Sequence, residues 1–130
     1  MKYLIAVAAL MFSVQCFATD WVRATDNDEM TTYSSPAGAV RFGNSVSILV
    51  LMDYKTVQVN NNVSFQSIRS VVEINCVAPY SSRVTRIFAY SDRMGEGTLL
   101  VDFIPETPDE FHPIVANSSG DVVSRLVCNQ

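Results

Sequence analysis

The sequence predicts an α+β domain: a single small antiparallel sheet of about five or six strands in a meander, with a C-terminal helix packed on it and one disulfide. Three observations predict this. Runs rich in β-branched and aromatic residues recur at Val46–Tyr54, Ser70–Cys76, Arg83–Tyr90 and Thr98–Phe103, separated by turn residues. Apolar positions at helical spacing occur after Asn117, in Val122, Val123, Leu126 and Val127. Finally, Cys76 and Cys128 are the cysteines that remain once the N-terminal segment is set aside.

That segment, residues 1–18, reads as a cleaved signal peptide. Lys2 is followed by an apolar run from Tyr3 to Val14, and Cys16 and Ala18 are small enough for the −3 and −1 subsites of a signal peptidase. Cleavage after Ala18 leaves residues 19–130 as one domain. An uncleaved anchor needs about 18 apolar residues, and this run is shorter. A lipoprotein would start at Cys16, but its peptidase wants a small residue where the chain has Gln15. The mature chain is therefore expected to be exported, to the periplasm or the cell surface, with no integral membrane segment after cleavage. In an oxidising compartment the pair Cys76 and Cys128 is expected to be a disulfide.

Without Lys2 the chain carries 8 Lys and Arg against 13 Asp and Glu, with no block of one sign. Neutralising phosphates takes clustered cations, and Arg83, Arg86 and Arg93 are scattered, so no nucleic-acid partner is expected.

The elements follow in order. Trp21–Ala24 and Thr31–Tyr33 flank a polar turn and form a first hairpin. Ser35-Pro36-Ala37-Gly38 and Gly43-Asn44 are turns around the short, ambiguous run Ala39–Phe42. Val46–Tyr54 is a near-continuous apolar run of strand length, hence a central strand. Lys55 to Ser64 loses periodicity, and Asn60-Asn61-Asn62 marks it as a solvent-exposed loop. In the next strand Ser70, Val72, Ile74 and Cys76 share one face. Ala78–Ser82 turns the chain into Arg83–Tyr90, and Met94-Gly95-Glu96-Gly97 leads into Thr98–Phe103. Pro105, Pro108 and Pro113 are expected to forbid regular pairing from Ile104 to Ile114, leaving a long surface loop. Asn117–Asp121 supplies N-cap candidates for the last helix, which a Cys76–Cys128 bond would staple to a central strand.

Catalytic groups are sparse. His112 is the only histidine, and no Gly-x-Ser-x-Gly elbow presents a nucleophile, so the chain is not expected to be an enzyme. One histidine, two paired cysteines and separated carboxylates do not make a metal site, and Asp26, Asp28 and Glu29 lack the glycine and distal glutamate of a calcium loop. Gly95-Glu96-Gly97 has no following lysine and is turn chemistry rather than a phosphate loop. No cofactor is expected.

The order of landmarks is more informative than any one of them: Trp21, Tyr33, Gly43-Asn44 before a strand closing in Met52-Asp53-Tyr54-Lys55, Val71-Val72-Glu73-Ile74-Asn75-Cys76, Tyr90-Ser91, Met94-Gly95-Glu96-Gly97 and Leu126-Val127-Cys128. In this the chain resembles the surface-adhesin protein E family of exported bacterial proteins, over essentially all of residues 19–130. The resemblance implies a small antiparallel sheet with a C-terminal helix, a disulfide between the strand cysteine and the terminal one, and a homodimer. Members of the family that give it its name attach to extracellular-matrix and serum proteins. The chain departs from the pattern at Tyr33-Ser34-Ser35 and at Leu49, so a surface built on those positions is not carried over.

Two functions are consistent with these readings. One is a cell-envelope binding module with a protein partner, and the other is a periplasmic structural or accessory protein acting through dimerisation. For a binding module the contacts are expected on aromatic-bearing polar loops, Asn60 to Phe65 and Pro108 to Pro113, with Phe65, Tyr80 and Phe111 as candidate contact residues.

Overall fold

The computed structural model describes residues 20–106 and 110–129. The expected signal peptide, 1–18, and positions 107–109 of the proline-rich segment lie outside the described residues.

Among the described residues eight strands and one α-helix follow in order: β1 Val22–Asp26, β2 Met30–Ser34, β3 Val40–Phe42, β4 Ser45–Asn60, β5 Val63–Asn75, β6 Ser81–Tyr90, β7 Leu99–Phe103, β8 His112–Pro113 and α1 Ser119–Cys128. They form one sheet in the order β1-β2-β4-β5-β6-β7, with β3 added on β4 and β8 on β6. All pairings are antiparallel. The expectation of five or six strands falls short because two edges are each shared by two segments. β2 pairs with Val50–Tyr54 and β3 with Ser45–Ser47 on the same side of β4. Likewise β7 pairs with Ile87–Tyr90 and β8 with Ser81–Ser82 of β6. The sheet is six strands wide, and the two extra strands are short fillers that satisfy backbone groups the longer neighbours do not reach.

Two further expectations are corrected. Lys55 to Ser64 is not a loop: β4 and β5 run on as a long hairpin closed by Asn61 and Asn62, whose φ values are 48° and 63°. Positive φ at both central residues is what a two-residue type I′ turn requires, and asparagine tolerates it. Between Asp53 and Gln58 the ladder slips, so that Tyr54–Val57 oppose a single residue of β5 and the strand is bulged there. The proline-rich segment, in turn, does pair briefly, through His112 and Pro113 against Ser82 and Ser81. A proline is compatible with this position because it lies on the outer edge.

Cross-strand register assigns the faces. Val46 and Ile48 lie opposite Ile74 and Val72, and the same face receives Val123 and Val127 of α1 to form the buried core. Burying each such valine contributes about 1.5 to 3 kcal/mol. The helix starts where Ser118 accepts the Asp121 N–H at 3.2 Å while the Asp121 carboxylate accepts the Asn117 N–H at 2.8 Å. At its other end Arg41 donates to the Val127 carbonyl at 2.8 Å, and Cys128 is bonded to Cys76, just beyond β5. The helix is thus held by capping, packing and a covalent staple together.

Both outer edges are irregular. β1 carries a register slip between Arg23 and Thr25, and its Asp26 is ion-paired to Lys55 at 2.9 Å; β7 slips against β6 between Ala89 and Tyr90, and its Asp102 is ion-paired to Arg86 at 2.7 Å. β7 reads Leu99-Leu100-Val101-Asp102-Phe103 and leaves Leu99, Leu100 and Phe103 exposed.

Candidate binding face

The face of the sheet away from the helix is closed by polar contacts. Asp53, in the middle of β4, is 1 % exposed and faces Ser67 across the ladder. Its carboxylate accepts from Arg93 Nη2 at 2.6 Å and from the Met94 N–H at 2.9 Å, pinning the short turn Arg93–Gly95 over the sheet. The hydrogen bond to Asp53 raises the Arg93 guanidinium above its ordinary pKa. Ser67 completes the clamp, donating to the Asp92 carbonyl at 2.6 Å and accepting the Gly95 N–H at 2.8 Å. Beside it the Arg69 guanidinium lies between Trp21, at 5.6 Å, and Tyr90, at 5.3 Å from the ring centroids. Asp53, Ser67 and the Arg93–Gly95 turn are occupied by one another, whereas Arg69 Nε is buried without a hydrogen-bond partner; the clamp's work is to hold the turn in place.

The helix side is only half covered. Beyond α1 the face is open and apolar, lined by Val63, Phe65, Ile68, Ile87, Val101 and Phe103, with Asn60 and Asn61 at the hairpin tip. None of its lining residues is charged. Phe65 packs edge-on against Tyr54, with ring centroids 5.9 Å apart and planes at 78°. Burial raises the Tyr54 phenol pKa, keeping the hydroxyl protonated.

Among the residues singled out from sequence, Phe65 is half-buried on this open face. Tyr80 is half-buried just before β6, where its carbonyl accepts the Ile114 N–H at 3.2 Å. Phe111 is also half-buried, its ring under the Arg83 guanidinium at 4.4 Å, and Arg83 bridges in turn to Glu73 at 2.9 Å. Phe65 and Tyr80 stand at opposite ends of β5, roughly 30 Å apart at about 3.3 Å per strand residue, so the three aromatics do not converge. His112 is exposed in β8. Among the described residues no three His, Cys, Asp or Glu side chains are grouped as a metal site. Sequence reading passed over Trp21, Arg69 and Tyr90 as a stack and Asp53 as an anchor. A carboxylate at the end of an apolar central strand was the available signal, because a buried charge must find a partner.

A disulfide-stapled antiparallel sheet with one helix, clamped on one face and half open on the other, defines a small sheet-and-helix domain. The chain belongs to the surface-adhesin protein E family, whose pattern matches residues 21–129, as the order of landmarks implied. It is similar in fold to a solved structure, that of Haemophilus influenzae protein E, with a TM-score of 0.62 and 14 % identity over 84 % of this chain and 83 % of that one. No curated protein sequence matches the chain.

Proposed function

We propose that this chain is an exported surface protein that attaches to protein partners, and that the open apolar half of the helix-side face, with Phe65 on it, is a contact surface. One observation carries the reading: the sheet leaves Val63, Phe65, Ile68, Ile87, Val101 and Phe103 contiguous and unroofed by α1. Contiguous exposed apolar surface on a small domain marks an interaction site. Family membership supports attachment as the role, and the family resemblance of the sequence points to extracellular-matrix and serum proteins as the partner class. Tyr80 and Phe111, at the far end of β5, form a second candidate contact.

The reading is tested by binding of the mature protein to immobilised matrix and serum proteins. Phe65→Ala is expected to weaken saturable attachment by about fivefold or more, the effect of a moderate hot spot, while loss of the Tyr54 contact lowers stability by only about 0.5 to 1.5 kcal/mol and leaves the protein folded in the assay. Wild-type protein without saturable binding, together with protection from protease added to intact cells, would favour the periplasmic accessory reading, acting through a homodimer.

A further inference from the structure

We infer that β7 is an open docking edge and that it takes an extended, basic and apolar segment of a partner protein as an added strand. The inference rests on the reading of the chain as a protein-binding module and names the chemistry of the partner. Its first support is backbone geometry. Among the described residues β7 pairs only with β6, and on either side of the register slip at Leu100 its residues direct N–H and C=O groups away from the sheet. Unpaired edge groups are a template for another strand.

Side chains support it next. Leu99 is 48 % exposed, Phe103 53 % and Ile104 60 %, so the edge has apolar side chains with no cover. Val101 and Phe103 also line the open apolar face, so an added strand would extend that face rather than stand apart from it. Both edges carry a register slip and an ion pair, Asp26–Lys55 at β1 and Asp102–Arg86 at β7. What sets β7 apart is its run of exposed apolar side chains, since in β1 Val22 alone is large, apolar and exposed.

Charge then selects the partner. Between Arg93 and Arg125 the sequence has no Lys or Arg, while Glu96, Asp102, Glu106 and Glu110 lie within β7 or close to it in sequence. Asp102 is neutralised by Arg86 at 2.7 Å. Glu96, Glu106 and Glu110 are exposed and have no ion pair among the described residues. A strand that places apolar side chains over β7 and Lys or Arg beside these carboxylates complements the edge on both counts.

The test uses the mature protein and a fluorescein-labelled peptide of alternating valine and lysine. Two counterparts are compared, one N-methylated throughout its backbone and one with glutamate in place of lysine. Anisotropy is expected to show saturable binding of the first peptide, loss of binding for the N-methylated one, and binding at least about tenfold weaker for the glutamate one. Amide shifts in the protein should centre on Leu99–Phe103. Equal binding of the N-methylated peptide, equal binding of the glutamate peptide, shifts centred on β1, or no saturable binding up to about 1 mM would each overturn the inference. Failure here is separable from failure of the wider reading. Attachment to a matrix or serum protein that survives in wild type and weakens in Phe65→Ala, with the peptides silent, rejects the edge and keeps the contact face.

Discussion

Asp53 and Met94 are joined across forty-one positions of sequence by a 2.9 Å hydrogen bond from the Met94 N–H to a buried carboxylate oxygen. Met94 sits at φ 57°, a left-handed conformation that costs an ordinary residue about 1 to 2 kcal/mol, and the Asp53 bond is what holds it there. Removing the carboxylate in Asp53→Ala strands that N–H and the Arg93 guanidinium together. A loss of about 1.5 to 3 kcal/mol in urea unfolding is expected, with Asp53→Asn losing less because its amide oxygen still accepts one donor.

Gly95 is the companion position. Its φ is 69°, and a Cβ added there would lie 2.4 Å from Arg69 Nε. The guanidinium cannot step aside without leaving the stack between Trp21 and Tyr90. Gly95→Ala is expected to cost about 1 to 3 kcal/mol and to shift the fluorescence of Trp21, the only tryptophan in the chain.

The Cys76–Cys128 bond closes a separation of 52 residues. Chain entropy alone makes it worth about 4 kcal/mol, so Cys128→Ser should lower the denaturant midpoint sharply and release α1 first. Hydrogen exchange should show Val122–Val127 losing protection ahead of β4 and β5. Two free thiols in denatured, unreduced protein would contradict the bond.

Asn62 supplies positive φ at the hairpin tip. Asn62→Gly should be neutral or mildly stabilising, whereas Asn62→Val should cost about 1 kcal/mol, because a β-branched residue resists the left-handed region. Thermal melts of the two variants against wild type give the comparison.

Acid should weaken the join between β6 and β7. Hydrogen bonding to Arg86 holds the Asp102 carboxyl below the ordinary carboxylate value, against a smaller opposing effect of desolvation. A depressed folded-state pKa means stability fully present above the unfolded value of about 3.9 and lost as pH falls through the folded one. Asp102→Asn is therefore expected to melt below wild type at neutral pH, with the gap closing as both are acidified below roughly pH 4.

Where burial writes itself into side-chain pattern, the fold was legible. Val46–Tyr54, Arg83–Tyr90 and Thr98–Phe103 are strands, and Val122–Val127 is helical, because their apolar positions follow the period of the surface they bury. The hairpin tip was illegible for the same reason. Thr56 to Ser64 projects beyond the covered core with side chains largely exposed, so backbone pairing alone sustains those strands and leaves no alternation to read. The fillers Val40–Phe42 and His112–Pro113 depend on which edge positions their longer neighbours leave vacant, a property of the assembled sheet. Phe65 was marked for its polar surroundings, and it stands on the open apolar face through a long-range arrangement of β5, β6 and β7 that no local window contains.

That both rims of the sheet carry a slip and a salt link has a bearing on self-assembly. A fibril grows only if every subunit offers two compatible rims, one to receive its predecessor and one to present to its successor. A single flexible segment can follow a step in the ladder, whereas a second rigid rim with a step of its own does not match it. The fold can therefore display apolar side chains along one edge at high local density without seeding an endless stack.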